Sequence, residues 1–216
     1  MYKPLITDGS KRFGNNRWQS YSSKLKRDVF LFSDLEYEHW LLVESNPKIV
    51  EFCEQALLME AFVNRKLQTS IIDMWVKFDN GKEEFIEVKY TSDLSKEKVK
   101  KQISVQKNWC NAHGFQHHVR TEEHIRANQL LLSNLKLIIK GNKQQKQEIE
   151  IERYQIMKIL RQYCPNKVLI SSLIVETQIP LNRLLLSLGK MIFKGEVCSD
   201  IALEHYGKNT EVWIDA

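Results

Sequence analysis

The sequence contains no run approaching the roughly 20 consecutive apolar residues that a bilayer span requires, and Met1, Tyr2, Lys3 and Pro4 lack the apolar core of a secretory signal. Both absences point to a cytoplasmic protein with no membrane partner. The four cysteines, Cys53, Cys110, Cys164 and Cys198, are widely scattered. Without the paired spacing of zinc or redox motifs, they read as small buried hydrophobes. His117 and His118 are adjacent, so on a strand they point to opposite faces, which excludes one metal ion gripped by both. Acidic residues are missing altogether between Lys11 and Arg27, where Lys11, Arg12, Arg17, Lys24, Lys26 and Arg27 are interleaved with Phe13, Trp18 and Tyr21. That arm is a candidate contact for a polyanion's phosphates, with a solvated chain terminus as the alternative.

What is present is enough for a real core: 216 residues, 43% of them hydrophobic, with a net charge of +5. The polar segment from Lys140 to Gln147 opens with Gly141 after an apolar helical run and reads as a linker. It divides the chain into residues 1–145 and 146–216. Upstream, a helix beginning at Ser33 is followed by strands around Ile49 to Cys53, Leu57 to Val63, Gln68 to Phe78 and Glu83 to Tyr90. A helix from about Ser95 to Ala112, a strand over Gln116 to Arg120 and a helix from about Glu122 to Ile139 complete an α/β domain. Downstream, a helix stopped by Pro165, a second over Leu169 to Glu176, a third over Leu181 to Ile192 and two short extended pieces outline a winged helix. From Ile151 onward eight basic residues meet seven acidic ones, a balance that favours a protein contact over a strong grip on DNA.

Asp79, Asn80 and Gly81 separate two strands, and a three-residue hairpin loop with left-handed Gly81 pairs Phe78 with Lys82. In that register Ile72 faces Val88 and Met74 faces Ile86 on an apolar side, while Trp75 faces Phe85 and Asp73 faces Glu87 on the other. Two carboxylates directly opposed repel unless a cation lies between them. Hard oxygen ligands suit Mg²⁺, with Mn²⁺ as a substitute. Lys89 shares the face of Glu87. The bland alternative is a surface hairpin carrying an ordinary ion cluster. Ser33 and Glu36 form a capping-box pattern, yet at about 100° per residue Glu36 lies within the apolar arc of Leu35, Trp40, Leu42 and Val43, unlike Glu38 and Glu44. A carboxylate in a buried stripe needs a partner, which a shared metal would supply.

A helix glutamate, a strand aspartate and a Glu-x-Lys, here Glu36, Asp73 and Glu87-Val88-Lys89, resemble the restriction-endonuclease-like nuclease superfamily with its mixed sheet flanked by helices. Phe32-Ser33-Asp34-Leu35-Glu36, Asn46-Pro47-Lys48-Ile49-Val50, Glu54-Gln55 and Thr121-Glu122-Glu123 are similar to the TnsA family of transposon endonucleases. Where that family's aspartate follows Pro or Thr, Asp73 follows Ile72.

The resemblance implies a bacterial, DNA-associated nuclease subunit of a heteromeric transposase that cuts the 5′ ends of a mobile element. Its implied partners are double-stranded transposon ends, an integrase-like transposase subunit, and an ATP-dependent regulator contacting the carboxy-terminal part. Glu36, Asp73 and Glu87 would hold Mg²⁺ and Lys89 would assist the attacking water. Apart from the resemblance, the charge pattern makes Lys98, Lys100, Lys101 and Lys107, on the helix after the Glu-x-Lys strand, either a DNA path, with Lys98 and Lys101 as candidate contacts, or a solvated face. Loss of Asp73 or Lys89 is expected to abolish cleavage and leave folding nearly intact. Two other readings stay open: a non-catalytic assembly factor bridging DNA and protein, and a free-standing restriction or repair nuclease.

Overall fold

The computed structural model of the chain describes residues 2–6, 16–63, 65–144 and 149–215. Lys11 and Arg12 lie outside these residues. By proximity the chain forms two units, Met1–Glu44 with Lys48–Ala127, and Ser45–Pro47 with Asn128–Ala216. The division expected near residue 145 therefore falls at 127/128, ahead of the helix Gln129–Gln144. A single helix from Glu122 onward was expected. Instead a short helix, α3 (Glu122–Ile125), ends with Arg126 off the helical conformation, and Asn128 Oδ1 accepts from the Leu131 amide at 2.9 Å to start the next helix.

The first unit opens with an antiparallel hairpin of β1 (Trp18–Ser22) and β2 (Arg27–Leu31). The basic segment is thus, from Trp18 on, ordered sheet rather than a free arm. Helix α1 (Asp34–Ser45) follows. A four-stranded mixed sheet has the order β3 (Ile49–Glu54), β6 (Met74–Phe78), β7 (Glu83–Val88), β8 (Gln116–Arg120), antiparallel except for the parallel β7–β8 pair. Parallel neighbours need a crossover, and α2 (Glu97–His113) provides it. A separate ribbon pairs β4 (Leu58–Val63) with β5 (Lys66–Ile71).

The hairpin register follows the glycine. Gly81 has φ +83°, its amide donates to Phe78 O at 2.9 Å, and the Phe78 amide donates to Lys82 O at 2.8 Å. Met74 consequently faces Ile86 and Trp75 faces Phe85. The expected strand Gln68–Phe78 is interrupted at Ile72 and Asp73, because its first half pairs with β4 and its second with β3. Ile72 thereby turns into the same core as Trp75, Phe85, Met59, Cys53 and Cys110 rather than into the side facing Val88. Two of the four cysteines are buried there, whereas Cys164 and Cys198 are only half-buried.

The second unit contains α4 (Gln129–Gln144), α5 (Glu150–Tyr163), α6 (Ile170–Thr177) and α7 (Leu181–Phe193). Its three-stranded sheet has the order β10 (Cys198–Ser199), β11 (Glu211–Trp213), β9 (Val168–Leu169), so a third strand joins the two expected. Helix α4 packs closely on α7: a Cβ on Gly189 would meet Ile138 Cγ2 at 2.8 Å. Buried Asn134 is fully engaged. Its Nδ2 donates to the carbonyls of Ile201 and Glu204, each at 2.8 Å, and its Oδ1 accepts from the Tyr206 amide at 3.0 Å. Among the described residues no helix is long and apolar enough to cross a membrane.

Candidate active site

Four residues predicted from sequence, Glu36, Asp73, Glu87 and Lys89, occupy one place at the edge of the hairpin where the β6–β7 ladder ends. At Asp73 the strand has broken, and the carboxylate takes over a backbone role: Oδ2 accepts from the Val88 amide at 2.8 Å and lies 3.5 Å from Lys89 Nζ. Glu87 is fully buried. Its Oε1 accepts from Lys89 Nζ and from Gln102 Nε2 at 2.6 Å, and its Oε2 accepts from Gln106 Nε2 at 2.6 Å.

Glu36 closes the start of α1 and reaches the hairpin through Gln55. Its amide donates to Ser33 Oγ at 3.1 Å and its Oε1 accepts from that hydroxyl at 3.1 Å, which is the cap. Its Oε2 accepts from the Phe32 amide at 3.1 Å and from Gln55 Nε2 at 3.3 Å. Gln55 ties this helix start to the hairpin, since its own amide donates to Asp73 O at 3.0 Å. Glu38 and Glu44 are engaged elsewhere. Glu38 holds Arg126 at 2.7 Å, and Glu44 holds the Ser22 hydroxyl at 2.7 Å and the Lys24 amide at 3.1 Å.

The electrostatics show how closely the groups gather. Burial first, and then the charge of Asp73, raises the pKa of Glu36; Lys89 works the other way. Burial and Asp73 likewise raise Glu87, against Lys89 and Gln106. Burial alone would lower the Lys89 ammonium, but Asp73, Glu87 and Glu36 outweigh it and its pKa stands above the ordinary lysine value. Three carboxylates therefore share one ammonium. The donor set is all hard oxygen under mutual repulsion, which fits Mg²⁺ or Mn²⁺. As they stand, with Lys89 on Glu87 and Asp73, no three acidic, His or Cys side chains among the described residues are arranged so that they could hold a metal ion.

The basic residues divide sharply. Lys24 donates to the carbonyls of Ile49 at 2.5 Å and Val43 at 3.3 Å. Arg27 forks onto Glu54 at 2.6 and 2.7 Å, and Glu54 is fully buried. Both hold the hairpin to the domain and are not presented to a phosphate, because a buried carboxylate and the ends of a helix and strand demand their charge. Arg17 and Lys26 are exposed. Lys98 and Lys101, also exposed, line a cleft of about 310 Å³ together with Gln68, Thr69, Gln102 and Val105. Gln102 reaches from that cleft to Glu87.

Sequence reasoning missed Gln102 and Gln106. One signal was available: two glutamines four apart on the helix after a Glu-x-Lys strand share a helix face.

Residues 46–122 match the family model described as TnsA-like endonuclease N terminal. The match takes in Asp73, Glu87, Lys89 and both glutamines, and begins after Glu36. No curated protein matches the chain. Over residues 46–122 the chain is similar to the amino-terminal domain of the TnsA-like endonucleases.

Proposed function

We propose that the chain is the Mg²⁺-dependent endonuclease subunit of a heteromeric cut-and-paste transposase, hydrolysing one phosphodiester at each 5′ end of the mobile element. The observation that carries this reading is the convergence of Glu36, Asp73 and Glu87 on Lys89. Asp73 and Glu87, with Glu36 beside them, would hold the metal. When bound, it supplies Lewis acidity toward the phosphate and a more acidic water. Lys89 has its ammonium at the carboxylates. It is placed to orient the attacking water and to stabilise charge on the phosphate once the carboxylates have another cation. The cleft with Lys98 and Lys101 leads a DNA backbone toward Glu87, and exposed Arg17 and Lys26 add phosphate contacts.

The second unit has the helix and strand order of a winged helix, α5-β9-α6-α7-β10-β11. Its third helix turns Leu184, Ser187, Leu188, Gly189, Met191 and Phe193 inward and leaves little surface to read a groove. With Ile151 and Tyr154 exposed on α5 instead, the unit suits contacts to the integrase-like subunit or the ATP-dependent regulator.

The Lys89 to Glu87 ion pair, which satisfies the carboxylates without metal, favours a second reading: a non-catalytic factor bridging DNA and partner proteins. Cleavage of DNA bearing the element's ends in Mg²⁺, with and without the integrase-like subunit, decides between them. Asp73→Ala should lose strand cleavage and site-specific Mn²⁺ binding in calorimetry. Normal 5′ cuts by that variant would refute the nuclease reading, and cleavage of plain plasmid without a partner would indicate a free-standing nuclease.

A further inference from the structure

Gln106 is fully buried in α2, and every polar atom of its amide has a partner. Its Nε2 donates to Glu87 Oε2 at 2.6 Å and to Ser70 Oγ at 2.9 Å, which uses both of its hydrogens. Its Oε1 lies 3.0 Å from His117 Nε2. An amide oxygen only accepts, so His117 must carry a proton on Nε2. Burial, together with the charges of His118 and Lys107, lowers the His117 pKa to about 4, so the neutral ring with its proton on Nε2 is the form that fits.

The contacts depend on one another in a single direction. While His117 keeps its proton on Nε2, a Gln106 amide turned over would set its oxygen against the Glu87 carboxylate and its NH₂ against the His117 N–H. Two buried repulsive contacts would replace two hydrogen bonds. Parallel pairing of β7 with β8 places His117 opposite Phe85, two residues before Glu87 on the neighbouring strand. The side chain thus reaches Gln106 from behind the site.

We propose that His117 and Gln106 form a buried positioning relay, in which the His117 N–H fixes the amide of Gln106 and the amide fixes the Glu87 carboxylate. The relay rests on the reading of Glu87 as a metal-holding carboxylate for its functional consequence, but its hydrogen-bond pattern does not. Neither residue touches substrate. What they set is the orientation of Glu87 Oε2 and the hydrogen bonds that keep a fully buried carboxylate satisfied.

The test uses the full chain and four variants: Gln106→Leu, His117→Leu, His117→Gln and Asp73→Ala. Glutamine at 117 restores a donor at the reach of Nε2, whereas leucine does not. In metal-free protein, nitrogen NMR should show His117 protonated on Nε2. The Gln106 side-chain amide resonances should shift in His117→Leu and return toward their wild-type positions in His117→Gln. A ring protonated on Nδ1, or Gln106 resonances indifferent to His117→Leu, would overturn the relay whatever the metal does. In calorimetric titration with Mn²⁺, Gln106→Leu should weaken binding roughly 10- to 100-fold and His117→Leu roughly 10-fold, with His117→Gln close to wild type. Unchanged Mn²⁺ affinity in Gln106→Leu, when Asp73→Ala has lost binding, also overturns it. If Asp73→Ala binds Mn²⁺ as wild type does, the metal-site reading has failed, and the NMR result decides the relay by itself.

Discussion

Replacing Lys89 with methionine keeps most of the side chain's volume and removes its charge from a site where Glu87 is 0% exposed. In the folded variant Glu87 retains Gln102 and Gln106 as donors but loses the ammonium on Oε1, and Asp73 still repels it. Removing one partner of a buried ion pair costs roughly 3–5 kcal/mol. Two features lower that figure: the Lys89 side chain keeps 20% exposure, and Glu87, already raised in pKa, can take up a proton. A loss of about 2–3 kcal/mol is expected. With a urea m-value of roughly 1–3 kcal/mol/M, the unfolding midpoint should fall by roughly 1–2 M. The structure thereby revises the expectation that Lys89 can be removed with folding nearly intact. The double variant Lys89→Met/Glu87→Gln removes both charges and should recover more than half of the loss. Urea melts followed by circular dichroism measure all three proteins. A midpoint unmoved in Lys89→Met, or a double variant weaker than the single one, would refute the reasoning.

His39 is buried, and burial first, then the charge of Arg120, lowers its pKa to about 4. The unfolded chain binds a proton near pH ~6.5 that the fold refuses, so stability is complete above that pH and is lost on acidification toward about 4. Between pH 7 and 5 the loss should be about 2 kcal/mol, and His39→Leu should flatten that slope in melts at the two pH values. Arg27→Met strands the buried Glu54 carboxylate, with an expected cost of about 3 kcal/mol and little change in DNA affinity; the opposite pattern in melts and binding assays would restore Arg27 as a phosphate contact. Lys98→Ala/Lys101→Ala should leave stability nearly unchanged and reduce the slope of log affinity against log salt by about 2. A titration series across salt concentrations with an unaltered slope would remove the cleft from the DNA path.

What the sequence by itself determined is local. Gly81 set the loop and with it the pairing of Met74 with Ile86, because a left-handed residue is needed at one fixed place in a three-residue turn. Ser33 and Glu36 set the start of α1 through bonds only three residues apart. The Glu-x-Lys spacing put Glu87 and Lys89 on one face through the two-residue period of a strand. Tertiary structure decided everything that required a distant partner. Whether Gln68–Phe78 was one strand or two depended on β4 competing with β3 for its halves. Whether Lys24 and Arg27 faced solvent depended on Ile49 and Glu54, more than twenty residues away. The support of Glu87 by Gln102, Gln106 and His117 depended on a helix and a parallel strand folding back over the hairpin. Periodicity reports which way a side chain points from its own element. It carries no information about which element arrives there, and buried charge is allocated by that arrival.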